Sequence, residues 1–232
     1  MIPDADLVIA CPYCSAAARV FQLFSGNTFG AITWTDGWMD APMQPKPSRI
    51  TRCHSCQKIY WVFLAPQLGF LPFDETGAAA GEFKDAPHVT PIGEADCFEA
   101  LREGLGAGDE LELELRVLAW WRGNDAFREP QHSAGHSTSA EATANMERFI
   151  AMTENGDEDL LLFRAEALRH LGRFDEARQT LNGVGCSDYW PAKSRQLELM
   201  EAGNRDLGIL FSADRPPEQY NISEEPQATS DH

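Results

Sequence analysis

Two Cys-x-x-Cys pairs constrain what this chain can fold into more than any other feature. Cys11-Pro-Tyr-Cys14 and Cys53-His-Ser-Cys56 repeat one spacing, with 38 residues between Cys14 and Cys53. A turn of this kind sets two thiolates on one side of a metal, and two such turns complete a tetrahedral Cys₄ shell with no open position for catalysis. One structural zinc ion held by Cys11, Cys14, Cys53 and Cys56 is therefore expected, with iron able to occupy the same four thiolates. His54 lies inside the second turn and reads as a neighbour of the site. A metal suits the segment for a second reason: about 70 residues build only a modest core, and a metal cross-link offsets that deficit. The long intervening segment is no obstacle, because loop-closure cost grows slowly with length. The remaining cysteines, Cys97 and Cys186, fall in helical patterns and read as small buried hydrophobes.

Thiols rather than disulfides follow from the N-terminus. It carries Asp4 and Asp6 but no Lys or Arg ahead of its short apolar patch, the wrong order for a secretory signal. No uninterrupted apolar run approaches the roughly 18–20 residues of a membrane span, so a cytoplasmic protein is expected. Charge is unevenly spread. The chain carries 19 Lys and Arg against 36 Asp and Glu, a net of −17, yet residues 1–72 sum to +1 and residues 73–232 to −18. An acidic body repels phosphate backbones and favours a basic protein partner, or simply solvates its helix faces.

The pattern predicts an α+β protein: a small β-rich head over residues 1–72, a linker over 73–93, an all-α bundle over 94–213 and an acidic, disordered tail over 214–232. Strands are predicted at Arg19–Phe24, Phe29–Thr35 and Ile59–Leu64, separated by Ser25-Gly-Asn27, Asp36-Gly37 and the proline-rich Ala41–Pro47. Residues 65–93 are rich in Pro, Gly and Ala and read as connecting chain. Helices are predicted at Glu94–Leu105, Asp109–Phe127, Ala140–Thr153, Glu158–Leu171, Phe174–Leu181 and Trp190–Glu201. The second is contested, because Glu110–Leu115 alternates like a strand. Its Glu, Leu and Arg are strong helix formers, and Leu111, Leu115, Leu118 and Trp121 share one helical face, so helix is preferred.

Larger resemblances rest on these segments. Cys-Pro-x-Cys leading to Cys-x-x-Cys and the aromatic strand Lys58-Ile-Tyr-Trp-Val-Phe63 resembles a zinc ribbon, although the gap is longer than that family's usual one. Gly172-Arg-Phe-Asp-Glu-Ala177, with Ala165, Leu168 and Leu181 around it, resembles the middle of a tetratricopeptide repeat. That resemblance implies two antiparallel helices packed closely over Ala165, Gly172 and Ala177, with Phe174 at their junction. One repeat is recognisable and Arg164 stands where the repeat usually has Leu, so a compact bundle is expected instead of a solenoid. Together with Ser25-Gly-Asn-Thr-Phe-Gly and Leu118-Ala-Trp-Trp-Arg-Gly-Asn-Asp, the combination is similar to bacterial proteins in which a zinc ribbon precedes such helices. A rival resemblance is narrower. Val8-Ile-Ala-Cys-Pro-Tyr-Cys14 is similar to the active-site stretch of glutaredoxins, which implies a nucleophilic Cys11 at a helix N-terminus and a resolving Cys14. Nothing downstream matches that family's Thr-Val-Pro segment, and the second cysteine pair would be left unexplained.

The expected role is non-enzymatic binding of a protein partner through the acidic helical body, the head or both, with no small-molecule substrate and no membrane. Trp120 and Trp121 are adjacent, so one narrow helical stripe cannot bury both, and Trp120, Trp121, Arg122, Asn124, Asp125 and Arg128 form a candidate partner edge. Its plainer alternatives are a wide apolar face and a hydrogen-bonded helix end. Three other functions remain open: an immunity or inhibitor protein masking a basic toxin, an RNA- or ribosome-associated adaptor, and a thiol oxidoreductase using Cys11 and Cys14. The adaptor would use Arg19, Lys46, Arg49, Arg52 and Lys58 beside Trp34 and Trp38, the combination of cations and stacking surfaces that binds single strands. His132 and His136 have a metal-compatible spacing but sit in a polar loop. No phosphate-binding loop or nucleophile elbow is present.

Overall fold

The computed structural model of the chain describes residues 1–72, 81–129 and 133–212. It is a mixed α and β structure of six helices and small antiparallel sheets among those residues. The chain divides into two units, one made of Met1–Gly30, Asp40–Ala126 and Ser137–Asn145, the other of Ala31–Met39, Phe127–His136 and the chain from Met146 onward.

The first unit is built on a three-stranded sheet in the order β2 (Ala17–Ser25), β1 (Ile2–Ala10), β7 (Gln67–Leu71). Leu7 lies opposite both Val20 and Phe70, and Ile9 lies opposite Ala18. A separate hairpin of β5 (Ile50–Arg52) and β6 (Ile59–Trp61) carries the second cysteine pair in its turn. Two apolar clusters hold these strands. Ile9, Ala18, Val20, Tyr60, Val62 and Ala65 close around Cys11 and Cys53. Ile50, Ile59 and Trp61 pack instead on Cys97 and Phe98 of α1 (Glu94–Arg102) and on Leu115 and Ala119 of α2 (Asp109–Arg128). The Trp61 indole N–H also donates to the carbonyl of Leu105 at 2.9 Å.

Alternation in Glu110–Leu115 thus yields to helix. Asp109, Glu110 and Glu112 fill the first turn, where the helix dipole favours acids, and Arg116 bonds back to Glu112 across one turn at 2.7 Å. The boundary expected at residue 72 does not coincide with the division between units: the hairpin's apolar face needs α1 and α2 to cover it, and residues 86–90 are tied to β2. Arg19 N–H donates to the carbonyl of Pro87 and Val89 N–H to that of Arg19, at 2.9 and 2.8 Å. Residues 73–80 of the expected linker and the whole 214–232 tail lie outside the described residues.

In the second unit, α4 (Glu158–His170), α5 (Phe174–Leu181) and α6 (Trp190–Glu201) pack on one another, and α3 (Ala140–Met152) leads into them. Ala165, Leu168, Ala177 and Leu181 are buried between them. Asp157 caps α4 by accepting from the N–H of Leu160 at 3.1 Å. Gly172 ends it in the left-handed conformation, φ +77°. A small sheet of β4 (Met39–Asp40), β3 (Ile32–Trp34) and β8 (Ile209–Phe211) completes the arrangement. Helix bounds match expectation within three residues. The strands depart more: β1, β4, β5, β7 and β8 fall outside the expected strands, and Val62–Leu64 is a 3₁₀ turn rather than strand. β7 is disguised by Pro66, Gly69 and Pro72, and β8 is three residues long.

Candidate metal centre

The four cysteines converge. Cys11 follows the last residue of β1, Cys14 lies in the turn into β2, and Cys53 and Cys56 lie in the β5–β6 turn. Their sulfurs all fall within 4.8 Å of one another. The Cys11–Cys56 pair is 3.7 Å apart and the Cys14–Cys53 pair 3.6 Å. A tetrahedral ion with sulfur at about 2.3 Å requires edges of about 3.8 Å, whereas a disulfide requires about 2.05 Å. The arrangement is therefore compatible with a four-cysteine metal site.

Backbone geometry is matched in the two turns. Ser15 N–H donates to the carbonyl of Cys11 and Gln57 N–H to that of Cys53, at 2.9 and 3.0 Å. Cys11 N–H donates to the carbonyl of Ala16 and Cys53 N–H to that of Lys58, both at 2.9 Å. Ser15 and Gln57, each directly after the second cysteine of its pair, take φ of +61° and +63°, and are the non-glycine residues with positive φ among the described ones. Such strain persists only where surrounding contacts impose it. Within the second turn, the amide N–H groups of Ser55 and Cys56 approach Cys53 Sγ at 3.4 and 3.5 Å.

The two sides of the site differ. Cys11 and Cys53 are buried, Cys14 is exposed and Cys56 half-exposed. Burial pushes the Cys11 thiol up to about 12, while the Ala16 N–H brings Cys14 down to about 7. The same burial raises Tyr60, beneath the site, to about 12. His54 is exposed and stands outside the group. A cleft of about 300 Å³ opens beside the second turn, lined by Arg52, His54, Tyr60 and His88 among others.

Other residues singled out from the sequence fall elsewhere. Cys97 is fully buried, its thiol raised by burial to about 12. Cys186 is exposed, contrary to expectation: Gly183 and Gly185 break the helical pattern there, and its N–H donates to Glu158. The six residues of the candidate partner edge are not one surface. Trp120 is buried, and Asn124, fully buried, accepts from Ser137 N–H at 3.0 Å. The Arg128 side chain, 8% exposed, pairs with buried Asp36. Trp121, Arg122 and Asp125 are half-exposed, and Arg122 bonds Asp125 at 3.1 Å. His136 is buried, whereas His132 lies outside the described residues.

Four of the five head cations are engaged by acids of their own unit: Arg19 with Asp6, Arg49 with Glu114, Arg52 with Asp96 and Glu99, and Lys58 with Glu103. Trp34 is buried, so it offers no stacking face. After Cys14 the chain enters a strand, so the helix N-terminus implied by the glutaredoxin resemblance is not there. Sequence reasoning missed a buried polar group in the second unit, formed by Glu166, Arg169 and His170. Its signal is legible afterwards, as charges interleaved with Ala165 and Leu168 on the apolar face of one helix. Compared with known proteins, the chain matches no family model, no curated protein and no solved structure.

Proposed function

We propose that this is a non-enzymatic binding protein whose first unit is held together by one structural zinc ion and whose acidic surface receives a basic protein partner. The closed Cys₄ geometry carries the first half of that reading, because four protein ligands leave a tetrahedral ion no position for substrate. Zinc suits a structural role through its lack of redox chemistry, although iron fits the same sulfurs. Charge carries the second half. A net of −17 with four of the head's five cations engaged by acids leaves little to attract a phosphate backbone, and steers a basic surface instead. A tetratricopeptide-like pairing of α4 and α5 accords with the burial of Ala165 and Ala177. An immunity or inhibitor role is the form of this proposal in which the partner is a toxin.

The test is a tagged capture from the native host, split into nuclease-treated and untreated halves and read by mass spectrometry, with metal counted on the same protein. A stoichiometric basic protein that survives nuclease supports the proposal. Ribosomal or RNA-binding proteins that vanish with nuclease would transfer the function to the adaptor role. Zinc-free protein able to reduce a mixed disulfide would transfer it to the oxidoreductase.

A further inference from the structure

The interior of the second unit holds a group of ionisable side chains that the binding role does not use. Glu166, Arg169 and His170 occupy positions i, i+3 and i+4 of α4 and are fully buried. Arg169 donates to both oxygens of Glu166 at 2.8 and 2.6 Å, and to the carbonyls of Asn204 and Asp206 at 2.6 and 2.9 Å. His170 Nε2 lies 3.2 Å from the Glu166 carboxylate, and its carbonyl accepts from Arg205 at 2.8 Å. Against this group lies the imidazole of His136, 8% exposed, its ring centroid 4.7 Å from that of His170 and inclined to it by 33°.

His136 is poorly provided for as a cation. Its Nδ1 is buried without a hydrogen-bond partner, and the Asp206 carboxylate stands 4.0 Å away. The Glu166 carboxylate is already engaged by Arg169 and faces His170. The other groups around His136 are the guanidiniums of Arg169 and Arg205 and the imidazole of His170. A proton here adds a charge beside two permanent cations in a dry interior, where it is costly.

We propose that His136 is an acid-operated latch. Neutral, it stacks on His170 and lets residues 203–208 close over α4; protonated, it is expelled and that segment comes away with β8. The mechanical link is short: Leu207 N–H donates to the carbonyl of Gly135, the residue before His136, and Ile209 follows in register with Trp34 of β3.

Burial first, then His170, Arg205 and Arg169, bring His136 down to about 4 from its ordinary 6.5. The closed state therefore binds fewer protons than the open one. Its advantage is complete above pH 6.5 and is lost as pH falls toward 4. With those two values, the opening equilibrium at pH 5 is roughly 30-fold larger than at pH 7.5.

Hydrogen exchange on the full, metal-replete chain at pH 7.5, 6 and 5, corrected for intrinsic rates, tests this. Protection of residues 204–211 should fall roughly 30-fold between pH 7.5 and 5 in the wild type, and by less than about threefold in His136→Gln and in His136→Phe. Unchanged wild-type protection at pH 5, or an equal fall in a folded variant, would overturn the latch. If neither variant folds, NMR titration of His136 in the wild-type protein decides. A midpoint well below 6 sustains the proposal, and one at 6.5 or above ends it.

Discussion

Each of the four cysteines stands where its loss leaves three thiolates around a charge they cannot hold alone. Cys11→Ser and Cys56→Ser should both release the metal, measured as loss of one equivalent by elemental analysis, despite their different exposure. Retention of the ion in either variant would exclude four-cysteine coordination. Buried Glu166 poses the opposite problem, being paired so closely that neither member can be removed singly. Arg169→Met should destabilise by about 3–5 kcal/mol in urea titrations, since it strands a carboxylate in the interior. Burial opposes ionisation of Glu166, but the Arg169 guanidinium prevails and holds it well below the usual carboxylate range. A depressed folded value gives stability that is present above about pH 4.5 and lost as pH falls below it. Glu166→Gln should accordingly flatten the acid limb of the stability curve measured below pH 4.5.

At the scale of elements, helices are legible to their ends and strands only in part, for a physical reason. Amphipathic helices announce themselves over two or more turns, so Phe174–Leu181 and Trp190–Glu201 are legible at their observed bounds. β5 and β8 are three residues each, too short to show a period, and β8 pairs with β3 from far along the chain. The convergence of the cysteine pairs is legible because it is carried by residue type and spacing, whereas the candidate partner residues do not share one exposed face, because helix periodicity does not say which polar residues find an internal acceptor. Asn124 illustrates this: its partner is the backbone N–H of Ser137, 13 residues on. The Asp36-Gly37 turn, by contrast, was read for conformation and proves to be a packing requirement too. Gly37 has φ +79°, and a Cβ built on it would meet the Phe163 ring at 2.5 Å. Gly37→Ala should therefore cost about 1–3 kcal/mol by thermal or chemical denaturation, with Phe163→Ala in the same background recovering part of the packing penalty.

At the scale of the whole molecule, the metal and the two units make separable forecasts. A chelator should abolish the cooperative melting of the β1–β2–β7 sheet while the helical signal of α4 to α6 persists in circular dichroism. If acidity steers a basic partner, association rates should fall steeply between low and physiological salt, and a flat profile would remove charge from the account. The pairing of β3 with β8 bears on how the protein is made. Thr35 and Gly208, hydrogen-bonded through side chain and backbone, are 173 residues apart. At about 5–20 residues per second on the ribosome, the first strand of that pair waits roughly 10–35 s for its mate. The first unit can finish its own sheet once residue 71 has emerged, whereas the small sheet of the second must wait for residues 209–211. A chain cut short before residue 209 keeps β4 on one side of β3 but leaves the other edge of β3 without its strand.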